Sequence, residues 1–248
     1  MTQPAPQIPA PAPPPDPHQP STPAGTADRE PGPLRKAMAQ HIRILQDAYH
    51  RDSPQAVQAL ARLRRGIGRQ ASETPDLWGL VGIEAFYAGQ PDDRRPSEAE
   101  ALRAERAAHV AVTLWALHQQ SNRARRMHVG DGISLGTAVR RLMSGTDRDE
   151  PIQKRLVRAG TATTFDVLSH RLRELVVLLR KAEIPLDYGL LAEQLDQWQK
   201  PGGPRLVRQA WGRSFHAYRP PTASGQPEND ASEAPRNGAT DNEPKDQT

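Results

Sequence analysis

Between residues 163 and 218 the apolar side chains recur at steps of three and four, and the pattern is interrupted twice by proline. Phe165, Leu168, Leu172, Leu175, Val176 and Leu179 fall on one stripe of a helix of about five turns, because a 3.6-residue period brings such spacings onto a single face. Arg171, Arg173, Arg180 and Lys181 fall largely outside that stripe. The run Ile184-Pro185-Leu186-Asp187-Tyr188 stops the helix: the proline ring has no N–H to donate, and the residue before it avoids the α region. Asp187 can then cap a second helix, with Tyr188, Leu191, Leu195 and Trp198 on its apolar face. Pro201-Gly202-Gly203-Pro204 ends that one, and Val207, Trp211, Phe215 and Tyr218 space a third. Three amphipathic helices in succession commit this part of the chain to helix-on-helix packing.

Upstream, the same period continues. Leu34, Met38, Ile42, Leu45 and Tyr49 space one helix; Ser53-Pro54 opens another, with Val57, Leu60, Leu63 and Ile67 as its apolar face. Residues 76–88 read as a short apolar core helix containing Leu77, Trp78, Leu80, Val81, Phe86 and Tyr87. Ser97 and Glu100 have the spacing of a capping box, and the helix they open runs to about Gln120 with Leu102, Val110, Leu114 and Leu117 inward and Trp115 at the edge. Residues 122–133 break the pattern and read as a connector. Ser134 caps a helix carrying Leu135, Val139 and Leu142 that ends at Ser144-Gly145, and Pro151 opens the next, with Ile152 and Leu156 inward. No strand-like alternation and no repeat of fixed period is present. The expected fold is all-α: one helical bundle domain of about eight or nine helices over residues 34–218.

The ends are different. Residues 1–33 hold 12 prolines and no aromatic residue, and residues 219–248 are acidic and poor in large apolar side chains. Neither buries enough surface to offset its chain entropy, so both are expected to be disordered. The ends contain four of the 33 Lys and Arg residues but nine of the 29 Asp and Glu, which leaves the interior with 29 basic against 20 acidic side chains. An interior near +9, where the whole chain is +4, suits a polyanion. The absence of cysteine excludes disulfides, thiolate metal sites and cysteine nucleophiles, and fits a cytoplasmic protein. The longest apolar run, near residues 110–117, is too short to cross a bilayer, so no membrane role is expected.

Catalytic chemistry needs a constellation, and none is legible. His109 and His118 lie nine residues apart without metal-ligand spacing, His170 stands alone, and Asp147, Asp149 and Glu150 are accounted for as helix-start acids. No enzyme activity, metal or cofactor is expected. The arginines are more informative. Arg62, Arg64, Arg65 and Arg69 occur with no acid between Asp52 and Glu73, and Arg62, Arg65 and Arg69 have the spacing of one helical face. Arg123, Arg125 and Arg126 precede Gly130-Asp131-Gly132; Arg140 and Arg141 follow Val139; Lys154, Arg155 and Arg158 share the next helix; Arg205 and Arg208 are one turn apart, with Arg213 beyond. Together with Arg171 and Arg173, these, apart from Arg205, are the candidate contacts to nucleic acid. The few aromatic residues fall mostly at apolar positions, so phosphate contact is expected to dominate over base stacking.

Several stretches, in order, carry a resemblance. These are Trp78-Gly79-Leu80-Val81, Ala116-Leu117-His118-Gln119-Gln120-Ser121, Ser134-Leu135-Gly136, Lys154-Arg155-Leu156 and Leu172-Arg173-Glu174-Leu175-Val176. Ile184-Pro185-Leu186-Asp187-Tyr188 and Arg208-Gln209-Ala210-Trp211-Gly212-Arg213-Ser214-Phe215 follow them. The pattern resembles the CasB family, the small subunit of the type I-E CRISPR surveillance complex Cascade, over about residues 34–218. The resemblance implies an all-helical, non-catalytic subunit that helps hold an R-loop open. Its implied partners are crRNA, target DNA, the backbone and large subunits, and a second copy of itself. The competing expectation is a standalone helical adaptor for an acidic protein.

Overall fold

The computed structural model describes residues 30–90, 95–143 and 149–218. The tails expected to be disordered lie almost wholly outside those residues, as do Ser144, Gly145 and Asp147. Contacts divide the chain into Met1–Tyr218 and Arg219–Thr248, and every described residue belongs to the first unit.

Among the described residues there are nine α-helices: α1 (Pro33–His50), α2 (Pro54–Arg65), α3 (Glu84–Ala88), α4 (Glu98–Gln119), α5 (Leu135–Arg141), α6 (Asp149–Gly160), α7 (Phe165–Lys181), α8 (Tyr188–Trp198) and α9 (Gly203–Ala217). Two 3₁₀ turns, Ala71–Glu73 and Pro75–Leu77, precede α3. The only extended pairing among them is a parallel bridge between His128 and Leu186. The all-α expectation holds.

The helix signals act locally where the sequence places them. Ser97 and Glu100 form the capping box of α4, Thr164 accepts from Val167 N–H at the start of α7, and Asp187 accepts from Leu190 N–H at 2.8 Å to start α8. Asp187 is also held by Arg35 at 2.9 Å, which ties the start of α8 to α1. All six residues of the α7 stripe are buried, as are Tyr188, Leu191, Leu195 and Trp198 on α8 and Val207, Trp211 and Phe215 on α9.

The centre is α4, packed against α1, α2, α7 and α8; α8 lies against α1 and α9, and α5 packs chiefly on α9, with α6 against α7 and α9. A helix covered on most sides needs small side chains at its closest approaches, and Ala104, Ala107, Ala108, Ala111 and Ala116 supply them. Here the sequence reading is corrected: Trp115 is fully buried rather than at an edge, whereas Leu102 is 55% exposed, on a side of α4 that lines an open groove. Val57 is likewise exposed, and the buried face of α2 is Ala56, Ala59, Leu60 and Leu63.

Residues 76–88 are not one core helix. Gly79 and Gly82 take φ of +76° and +77°, a left-handed conformation that breaks the segment into a 3₁₀ turn and the short α3. Leu77 is buried, but Trp78 is left 75% exposed.

Candidate nucleic-acid interface

The α2 arginines do not form one helical face. The helix ends at Arg65 because Gly66 is wedged under Leu77 and His109, and Gly68 then turns left-handed at φ +78°. Arg69 therefore sits in a turn, its guanidinium donating to the Glu73 carbonyl at 2.8 Å, while Arg62 donates to the Asp76 carbonyl. Arg64 and Arg65 have no acidic partner among the described residues. The turn is pinned by buried His109, whose Nε2 faces the carbonyls of Gly66 and Arg69 at 3.2 and 3.1 Å. Burial holds that imidazole below its ordinary pKa, hence neutral and able to donate from one nitrogen only.

The arginines of residues 122–133 are engaged in holding the connector. Arg123 pairs with Asp52, donates to the Tyr49 carbonyl at 3.3 Å and lies 4.7 Å above the Tyr49 ring. Arg125 pairs with Glu183 at 3.3 Å, and Arg126 with Asp47. The connector also threads a buried polar network. Gln46 accepts from His128 N–H at 2.9 Å and from the Trp115 indole at 3.3 Å, and donates to the His128 carbonyl at 3.0 Å. Gln119 accepts from Met127 N–H at 2.9 Å. Residues 122–133 are thus a bonded connector, with Met127 and His128 buried.

On α7, Arg171 is matched by Glu174 at 3.1 Å, and Arg173 is exposed without an ion pair among the described residues.

The remaining candidates converge. Neither α5 nor α9 contains an acidic residue, and the two helices pack together. Their closeness depends on Gly136: a Cβ there would strike the Trp211 carbonyl and the Ser214 hydroxyl and come within 2.8 Å of the Phe215 nitrogen. Arg140 lies 5.6 Å over the Phe215 ring and Arg141 5.4 Å over the Tyr218 ring, so the end of α5 places both guanidinium groups at the end of α9. At the other end, the stem of Arg208 passes Gly160, the last residue of α6, with Cγ 3.4 Å from where a Cβ would be. Arg158 is in that same last turn of α6 and is exposed. Arg205 and Arg213 are also exposed, and the position of Gly212 between Arg208 and Arg213 opens onto empty space. Arg205 belongs with this face; its one-turn spacing from Arg208 on an acid-free helix was the available signal. Lys154 is matched by Glu150 at 2.7 Å and Arg155 donates to the Pro151 carbonyl at 3.3 Å, both toward the start of α6.

Arg141, Arg158, Arg205, Arg208 and Arg213 are all exposed on the mutually packed α5, α6 and α9, without a carboxylate partner among the described residues. From Arg205 to Tyr218 the face is about 20 Å long at 1.5 Å per residue. At 3.4 Å per phosphate along a strand, that matches about six phosphates. No group of His, Asp or Glu among the described residues has the arrangement of a metal site.

The model for the CRISPR-associated protein Cse2 family matches residues 59–216. The chain belongs to the Cse2 family. Cse2 proteins of known structure share its fold. CasB from Thermobifida fusca is 48% identical, with a TM-score of 0.68 over 76% of this chain and 100% of that one. CasB from Thermus thermophilus is 22% identical, with a TM-score of 0.53 over 74% of this chain and 98% of that one. A chain of a structure described as a CRISPR RNA-guided surveillance complex is also 22% identical, with a TM-score of 0.51 over 72% of this chain and 95% of that one. Comparison with curated protein sequences gives no match. The Cse2 match begins within α2 and ends within α9, so it takes in both the pinned turn after α2 and the α5–α9 face.

Proposed function

We propose that this chain is the non-catalytic small subunit of a type I-E CRISPR Cascade complex, and that its α5–α6–α9 face holds nucleic-acid backbone to stabilise the crRNA-guided R-loop. Membership of the Cse2 family and the likeness to a chain of an RNA-guided surveillance complex support the setting. The observation that carries the mechanism is the pairing of the acid-free α5 and α9, which with Arg158 of α6 presents five exposed cations that have no carboxylate partner among the described residues. Replacing a DNA duplex by an RNA–DNA hybrid is nearly balanced in free energy, so a handful of phosphate contacts is enough to tip it. Nothing in this role requires a reacting side chain. The partners are crRNA and target DNA, the backbone and large subunits, and a second copy of the chain.

The test is reconstitution. The chain is mixed with crRNA-loaded backbone and large subunits, and R-loop lifetime is measured for the native chain and for Arg205→Ala/Arg208→Ala/Arg213→Ala. Co-elution of both, with the variant's R-loop at least tenfold shorter-lived, is the expected result. Failure of the native chain to co-elute favours a standalone adaptor; co-elution with an unchanged lifetime removes the α9 face from the mechanism.

A further inference from the structure

Among the described residues Trp78 is the most exposed large apolar side chain, at 75%, and Leu102 is 55% exposed. Both line a groove of about 900 Å³ formed by the 3₁₀ turns, α4 and α7, with Leu77, Leu114 and Phe165 buried beneath. Its charges nearly cancel, three arginines standing against four carboxylates. Several are already engaged: Arg106 faces Asp166 at 3.7 Å, and Glu105 accepts from the Tyr87 hydroxyl at 2.6 Å. Such a groove offers a polyanion no net attraction. It suits a nearly neutral, extended, apolar chain.

The protein carries one. Pro11, Pro14, Pro17, Pro20 and Pro23 recur at every third residue, in a stretch whose only carboxylate is Asp16. Three residues is the turn of a polyproline II helix, so in that conformation the five rings line one edge for about 37 Å at 3.1 Å per residue. Proline rings on an exposed indole are a recurrent mode of recognition, because φ is already fixed and little entropy is lost on binding.

We propose that residues 11–23, which lie outside the described residues, bind as a polyproline II helix in the Trp78–Leu102 groove of the same molecule. The reach is sufficient. Gly32 is fixed at the start of α1, its N–H donating to Glu193 at 2.9 Å. His41 lies about 12–14 Å further along α1 and bonds the carbonyl of Leu80 at 2.9 Å, two residues from Trp78. The eight residues 24–31 span up to about 28 Å when extended, enough to bring Pro23 to the groove. The proposal is independent of the nucleic-acid role, which uses a different face.

The full chain lacks cysteine, so Ser21→Cys, about 6 Å along the ridge from Pro23, gives a single site for a nitroxide label. With the tryptophans replaced by 5-fluorotryptophan, the ¹⁹F resonance of Trp78 is assigned by its loss in Trp78→Phe. The expected result is loss of more than half the Trp78 intensity, recovered on reduction of the label and recovered when all five ridge prolines are changed to serine. An unbroadened Trp78 resonance, or broadening that survives the five substitutions, overturns the proposal. So does broadening in a mixture of labelled, non-fluorinated chain with unlabelled, fluorinated chain, since the occupant would then come from another copy.

Discussion

The α9 arginines and the connector arginines make opposite predictions from the same type of side chain. Five cations of α5, α6 and α9 that have no carboxylate partner among the described residues, each neutralising one phosphate of a single strand, give a slope of log affinity against log salt of about −3.5. Binding then weakens about 100-fold between 50 and 200 mM salt. Arg205→Ala/Arg208→Ala/Arg213→Ala leaves two of the five, a slope near −1.4, and a fall of only about sevenfold over the same range. Arg123→Ala/Arg125→Ala/Arg126→Ala removes as much formal charge, but those guanidinium groups already face Asp52, Glu183 and Asp47. Its slope stays within about 0.5 of the native value. Its effect goes instead into stability: exposed ion pairs contribute up to about 1 kcal/mol each, and the Arg123–Tyr49 ring contact about 0.5–1 kcal/mol. Fluorescence anisotropy of a labelled oligothymidine at five salt concentrations, beside thermal melts, measures both quantities. If the connector triple variant flattens the slope more than the α9 triple variant does, the assignment of free and neutralised charge is refuted.

Two glycines separate packing from propensity. Gly136→Ala drives a methyl into the α9 backbone and should cost about 1–3 kcal/mol in urea unfolding, while Gly212→Ala, opening onto empty space inside a helix, should gain up to about 1 kcal/mol; equal effects at the two sites would contradict the packing described. Gln46→Ala strands the Trp115 and His128 N–H groups in the core, at about 1–3 kcal/mol for each unsatisfied donor, and should accelerate hydrogen exchange at the His128 amide. Burial lowers the pKa of His41, His109 and His128, and brings His118 down to about 4. These histidines are neutral in the fold and protonate more readily when unfolded. Stability is therefore complete above about pH 6.5 and declines as pH falls from 6.5 toward 4, with His118→Asn reducing the decline. Unfolding free energies that are equal at pH 7 and pH 5 would remove that account.

The helices were legible because their causes are local. The α7 stripe, the proline stop at Pro185, the caps Ser97, Ser134 and Asp187, and the breaks at residues 201–204 all act within four or five positions along the chain, the range that the helical period and its end groups control. The three stretches that opened the reading became α7, α8 and α9 with their apolar faces buried as spaced, except Tyr218, which follows the last turn of α9 and is only half-buried. The sequence also determined that α5 and α9 are free of acids, since that is a count. What it could not assign was which arginines remain free. Arg126 meets Asp47 and Arg123 meets Asp52 across more than 70 positions, and Arg125 meets Glu183 across nearly 60. Their neutralisation is a distance in space with no signal in the spacing. Trp78 and Trp115 show the same limit: both are apolar by composition, yet one is exposed and the other buried. Burial depends on what packs above a residue, and only the tertiary arrangement of α1, α2, α7 and α8 around α4 decides that.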